Sequence, residues 1–97
     1  MIMPRLASRP TASALNARRD GLRRLFGSMV QDRRETIQRS VEDCAHLSGM
    51  ESSEWSAIEA GYIPADPSKL RSMAAALEIR YEQLLMMVHL CQGAWAE

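Results

Sequence analysis

Residues 40–64 read SVEDCAHLSGMESSEWSAIEAGYIP. Ser40 can cap a helix, and Glu42 and Asp43 fall in its first turn, where the positive end of the helix dipole favours carboxylates. Cys44, Ala45 and Leu47 supply its apolar side. Gly49 offers the positive φ that ends a helix sharply. A second helix starts near Glu51, with Trp55 and Ile58 three apart and Met50 before them, all facing inward. Gly61 closes that helix and Pro64 prevents its restart. Helix, glycine turn and helix make a helix-turn-helix pattern.

The flanks extend the same reading. Upstream, Leu22, Leu25, Phe26, Met29 and Val30 recur at spacings of three and four, which predicts a first helix over about 19–36. Gly21 and Gly27 weaken it locally. Residues 1–18 hold Pro4, Pro10 and several hydroxyl residues and read as a flexible, arginine-containing arm, with helix starting as early as Thr11–Asn16. Downstream, Asp66 takes a cap position and Pro67 the first helical position. Leu70, Met73, Ala74 and Leu77 then form one inner face. A last helix over about 81–92 carries Leu84, Leu85, Val88 and Cys91, and residues 93–97 remain as a tail. The expectation is a compact all-α domain of five short helices.

Composition narrows the function classes. A chain of 97 residues makes at most one domain plus tails. Apolar residues make up 46% and only five residues are aromatic, so Leu, Met, Ile, Val and Ala must fill most of the core. Cys44 and Cys91 have no CxxC or matching His spacing and read as small buried hydrophobes. No run approaches the ~20 apolar residues of a membrane span. The start, MIMPRLASRP, lacks the apolar stretch of about ten residues that a signal peptide needs. A reduced, cytoplasmic protein is expected, with no cofactor and no metal.

The formal charge of zero hides a strong asymmetry. Residues 1–40 hold nine arginines (5, 9, 18, 19, 23, 24, 33, 34, 39) against three acids, a net of +6. Residues 41–97 hold Lys69, Arg71 and Arg80 against nine acids, a net of −6. The basic front fits a polyanionic partner; it equally fits two halves that attract each other or simply solvate the fold.

The segment 40–64, followed by LRSMAAALEI and YEQLL, resembles the Cro/CI (XRE-type) helix-turn-helix family of bacterial and phage regulators. The resemblance runs from about Leu22 to Val88 and rests on Ala45, Gly49, Ile58, Glu59, Gly61, Pro64, Leu70, Ala74, Leu77, Leu84 and Leu85. It implies a five-helix DNA-binding domain whose third helix enters the major groove of double-stranded DNA. By position, Ser52, Ser53, Ser56 and Ala57 would face base edges, and Ser40 and Tyr62 would meet the backbone. Arg34 and Glu59 occupy positions that form a buried ion pair in several members.

The chain also departs from the family pattern. Val41 stands where Gln commonly anchors to DNA, Arg39 where an apolar residue is usual, and Arg80 where helix five is usually capped. The outward face of helix three offers only hydroxyls and a methyl, with no bidentate Arg–guanine or Gln–adenine contact. Glu51 and Glu54 fall in its first turn, where the dipole favours them and Glu54 can close a capping arrangement. Affinity must then come from elsewhere. Arg18 and Arg19 are candidates for the DNA backbone, and Arg5 and Arg9 on the arm for a minor groove.

Two functions compete on these residues. One is a sequence-specific transcriptional regulator, a homodimer on a palindromic site. The other is a protein-interaction module that kept the fold without the groove chemistry. Its partner would be transcription machinery or another regulator. Catalysis is not expected, because His46 and His89 have no nucleophile or metal set beside them. For the dimer, Met86, Met87, Leu90, Ala94 and Trp95 are left over once helix five has covered the core, with Met87, Leu90 and Trp95 at the interface. Cys91 fits either side, and Trp95 could instead fold back on its own domain.

Overall fold

The computed structural model describes residues 11–92. It contains five helices: α1 (Ala12–Thr36), α2 (Val41–Leu47), α3 (Ser52–Glu59), α4 (Pro67–Leu77) and α5 (Tyr81–Gln92). Among the described residues there is no strand. No helix among them is long and apolar enough to cross a membrane.

Local chemistry accounts for most of the boundaries. Thr11 Oγ1 accepts from the Ala14 N–H at 3.1 Å, so α1 starts at Ala12. The first helix therefore begins inside the Thr11–Asn16 window and not at about 19, and the arm expected over 1–18 is helical from Ala12 onward. Ser40 Oγ accepts from the Asp43 N–H at 3.0 Å and opens α2. Gly49, at φ 71°, turns the chain into α3. The Met50 N–H then closes the turn on the Ala45 carbonyl at 2.8 Å. Asp66 Oδ1 caps α4 through the Ser68 N–H, with Pro67 at the first helical position.

The core gathers one face of each helix. Phe26 and Val30 come from α1, Cys44 and Ala45 from α2, Trp55 and Ile58 from α3, Leu70, Met73 and Leu77 from α4, and Leu84, Val88 and Cys91 from α5. Helix α1 packs along α3 and α5 and meets the end of α4, while α2 lies between α3 and α4. Two expected core residues fall outside this cluster. Leu25 is 49% exposed and Leu47 54% exposed, because each sits on the flank its helix turns to solvent.

Gly27 has a role other than local weakening. A Cβ there would stand 2.2 Å from the Glu59 carbonyl oxygen and 2.9 Å from that of Ile58. The backbone of α1 thus crosses the C-terminal end of α3 at a separation that only glycine permits. At Gly21 nothing lies within 4 Å of such a Cβ.

Candidate nucleic-acid interface

Helix α3 is seated on the body by its inner side. The Glu59 carboxylate accepts from Arg34 Nε at 2.6 Å, from Arg34 Nη2 at 3.1 Å and from the Trp55 indole N–H at 2.7 Å. Arg34 Nη1 also donates to the Arg39 carbonyl at 2.9 Å. Both charged side chains are only 11% exposed. The hydrogen bond with Glu59, outweighing burial, raises the pKa of the Arg34 guanidinium further above its ordinary value. One planar fork therefore ties α1, α3 and the turn leading into α2 together.

The opposite side of α3 is open. Ser52, Ser53, Ser56 and Ala57 are all exposed. Four of the helix's eight residues thus present hydroxyls and one methyl to solvent. Glu51 takes the N-cap position but makes no side-chain capping bond. Glu54 does not cap the helix as expected: its carboxylate is held by the Lys69 ammonium from α4. That contact raises the lysine pKa. Of the three carboxylates from Glu51 to Glu59, Glu54 and Glu59 are paired with cations, and Glu51 stands exposed without an ion pair among the described residues.

No family model, curated protein or solved structure matches this chain. Its chemistry must be read from its own residues. Around α3, Ser40 is exposed at the start of α2 and uses its hydroxyl as the cap. Val41 turns onto the core instead of outward. Tyr62 is about half exposed in the loop after α3, where its N–H closes on the Ala57 carbonyl at 2.9 Å.

The arginines divide into two sets. Arg33 donates from Nε to the Leu77 carbonyl at 2.8 Å and from Nη2 to that of Glu78 at 3.1 Å. Arg39 donates to the Ala76 carbonyl and pairs with Glu78 at 2.8 Å. These two cover the last carbonyls of α4, which ends at Glu78 with φ 59°, a left-handed position without glycine. Together with Arg34 they are engaged in holding the fold. Arg18, Arg19, Arg23 and Arg24, by contrast, are all exposed on the first half of α1. Among the described residues Arg19, Arg23 and Arg24 make no ion pair.

Sequence reasoning missed the anchoring of Arg33 and Arg39 and the Glu54–Lys69 pair. All three depend on which helix ends meet, and no spacing within one helix carries that information. The Trp55–Glu59 bond was open to discovery, since residues four apart on a helix are neighbours. Arg5, Arg9, Ala94 and Trp95 lie outside the described residues. Met87 packs partly against its own core and Cys91 is buried in it, whereas Met86 and Leu90 are 64% and 66% exposed. The apolar surface of α5 is therefore Met86 and Leu90, with Met87 at its inner edge.

Proposed function

We propose that this protein is a DNA-binding transcriptional regulator of the Cro/CI type, acting as a homodimer on a palindromic site. The observation that carries the reading is the state of α3. It is locked at its base by the Arg34–Glu59–Trp55 cluster and exposes Ser52, Ser53, Ser56 and Ala57 along its outer side. A helix presented to the major groove must be both rigid and free of intramolecular cover. The Lys69 contact also neutralises one carboxylate that would otherwise repel phosphate. Ser40, Tyr62, Arg18 and Arg19 are the residues for backbone contact. Met86 and Leu90, exposed on α5, are the residues assigned to the dimer contact.

Serine hydroxyls discriminate bases weakly, so most of the affinity is assigned to phosphate contacts and the specificity ratio is expected to be low. That poverty of groove chemistry favours the second reading, a protein-interaction module. Selection of duplexes from a random pool, followed by anisotropy against selected and scrambled sequences, separates the two. A regulator binds the selected duplex more tightly, loses affinity steeply with salt, and loses the preference in a Ser52→Ala, Ser56→Ala double variant. A protein with no duplex binding at low salt is not a regulator of this type. Light scattering should give a dimer mass for the parent and a monomer mass for Met86→Gln with Leu90→Gln.

A further inference from the structure

The first half of α1 extends beyond the part that packs on α3. From Ala12 to Gly21 every residue except Leu15 is exposed. Two backbone contacts fix which side of this extension borders α3. Gly27 lies under the last carbonyls of α3, and a Cβ on Gly61 would stand 3.4 Å from the carbonyl carbon and oxygen of Arg23 and 3.5 Å from its Cβ. Residues four apart are neighbours on a helix, so Gly27, Arg23 and Arg19 follow one ridge, which drifts about 40° around the axis at each step. That line starts where α3 ends and runs outward for about 12 Å, at ~1.5 Å per residue. Tyr62, about half exposed, follows Gly61 directly and stands at the foot of the row.

Resting on the DNA-binding reading above, we infer that Arg19 and Arg23 form a phosphate-binding row that grips the phosphodiester backbone beside the groove entered by α3. Both guanidiniums are exposed and make no ion pair among the described residues. Placing the row at the C-terminal end of α3 puts it over the strand that flanks the groove. The weak groove chemistry of the serines is thereby supplemented by contacts that position the helix without reading sequence. Arg24 is a neighbour in sequence but lies on the other flank of Gly27, about 100° around the helix from Arg23 and ~140° from Arg19. The row is thus a directed feature, distinct from the general positive charge of the segment.

The test is the salt dependence of binding to a mixed-sequence duplex of about 40 base pairs, which needs no knowledge of the operator. In Arg19→Ala with Arg23→Ala, the slope of log affinity against log salt should shrink by up to about 0.9 for each phosphate no longer neutralised. It should be retained in the corresponding double Lys variant, and stay near the parent value in Arg24→Ala. Melting temperatures equal to the parent's show that the fold is intact. An unchanged slope in the double Ala variant overturns the row while leaving DNA binding standing. An equal loss in Arg24→Ala also overturns it, since net charge would then account for the effect. A parent that binds no duplex removes the DNA-binding reading itself, and the row with it.

Discussion

The two halves of α1 use the same residue for opposite ends. In the second half and the turn after it, Arg33, Arg34 and Arg39 reach inward to a carboxylate and to the last carbonyls of α4. In the first half, Arg19, Arg23 and Arg24 stand on the exposed surface. The glycines differ in the same way: Gly27 lies under the backbone of α3, and Gly21 has open space around it. An arginine held by fixed partners contributes to stability and is lost to any ligand, whereas an exposed one costs the fold little and remains available to a polyanion. The basic character of the front therefore divides along the chain into an exposed set and an anchored set.

Substitutions that exchange these roles should break the comparison, and the largest effect belongs to the cluster under α3. Glu59→Ala leaves the Arg34 guanidinium and the Trp55 indole without their acceptor. Removing one member of a buried pair costs roughly 3–5 kcal/mol. In a domain of this size, thermal melts should fall by well over 10 °C, on the order of 4–8 °C per kcal/mol. A shift of only a few degrees would show that the cluster does not hold the helices.

Gly27→Ala comes next. The added methyl meets the backbone of α3, which cannot rotate away, so α1 and α3 must separate. The expected cost is about 1–3 kcal/mol by chemical denaturation, as for overpacked cores. Gly21→Ala sharpens the contrast with the opposite sign. It sits in a helix with nothing within 4 Å, and should stabilise by roughly 0.5–1 kcal/mol. Equal effects at the two glycines would dissolve the distinction between the halves.

Arg33→Ala should cost about 1–2 kcal/mol, because it uncovers the Leu77 and Glu78 carbonyls, while Arg23→Ala should leave the melt unchanged. The smallest effect concerns the thiols. Burial pushes the pKa of both Cys44 and Cys91 up, so the folded state keeps them neutral after the unfolded chain has begun to ionise. Their contribution is complete below the ordinary thiol pKa and falls as pH rises through it toward the raised folded values. Alkylation of the native protein should accordingly be slow at neutral pH and follow unfolding; rapid labelling would place a thiol on the surface.

Much of the fold is legible in the sequence because its helix ends are set by local chemistry. Ser40, Asp66 with Pro67, Gly49 and Gly61 act within a few residues of themselves, and their geometry follows from residue type. The start of α1 is harder to place, since Thr11 caps a stretch with no apolar period strong enough to announce it. Leu25 and Leu47 obey helical spacing yet face solvent, because spacing identifies a stripe and leaves its width to the neighbouring helices. The division of the arginines is not legible at all. Nothing local distinguishes Arg23 from Arg33: each lies on α1 beside another arginine, and only the arrival of α4's C-terminal carbonyls separates their roles.

The proposed division of labour is tested most directly by mapping backbone amide shifts as a mixed-sequence duplex is titrated into the protein. Shifts should concentrate in Ser52–Ala57, at Tyr62 and along the exposed half of α1 around Arg19 and Arg23. The amides of Leu77 and Glu78, beneath Arg33 and Arg39, should hold still. Shifts centred on the end of α4, or none at saturating duplex and low salt, would contradict the account.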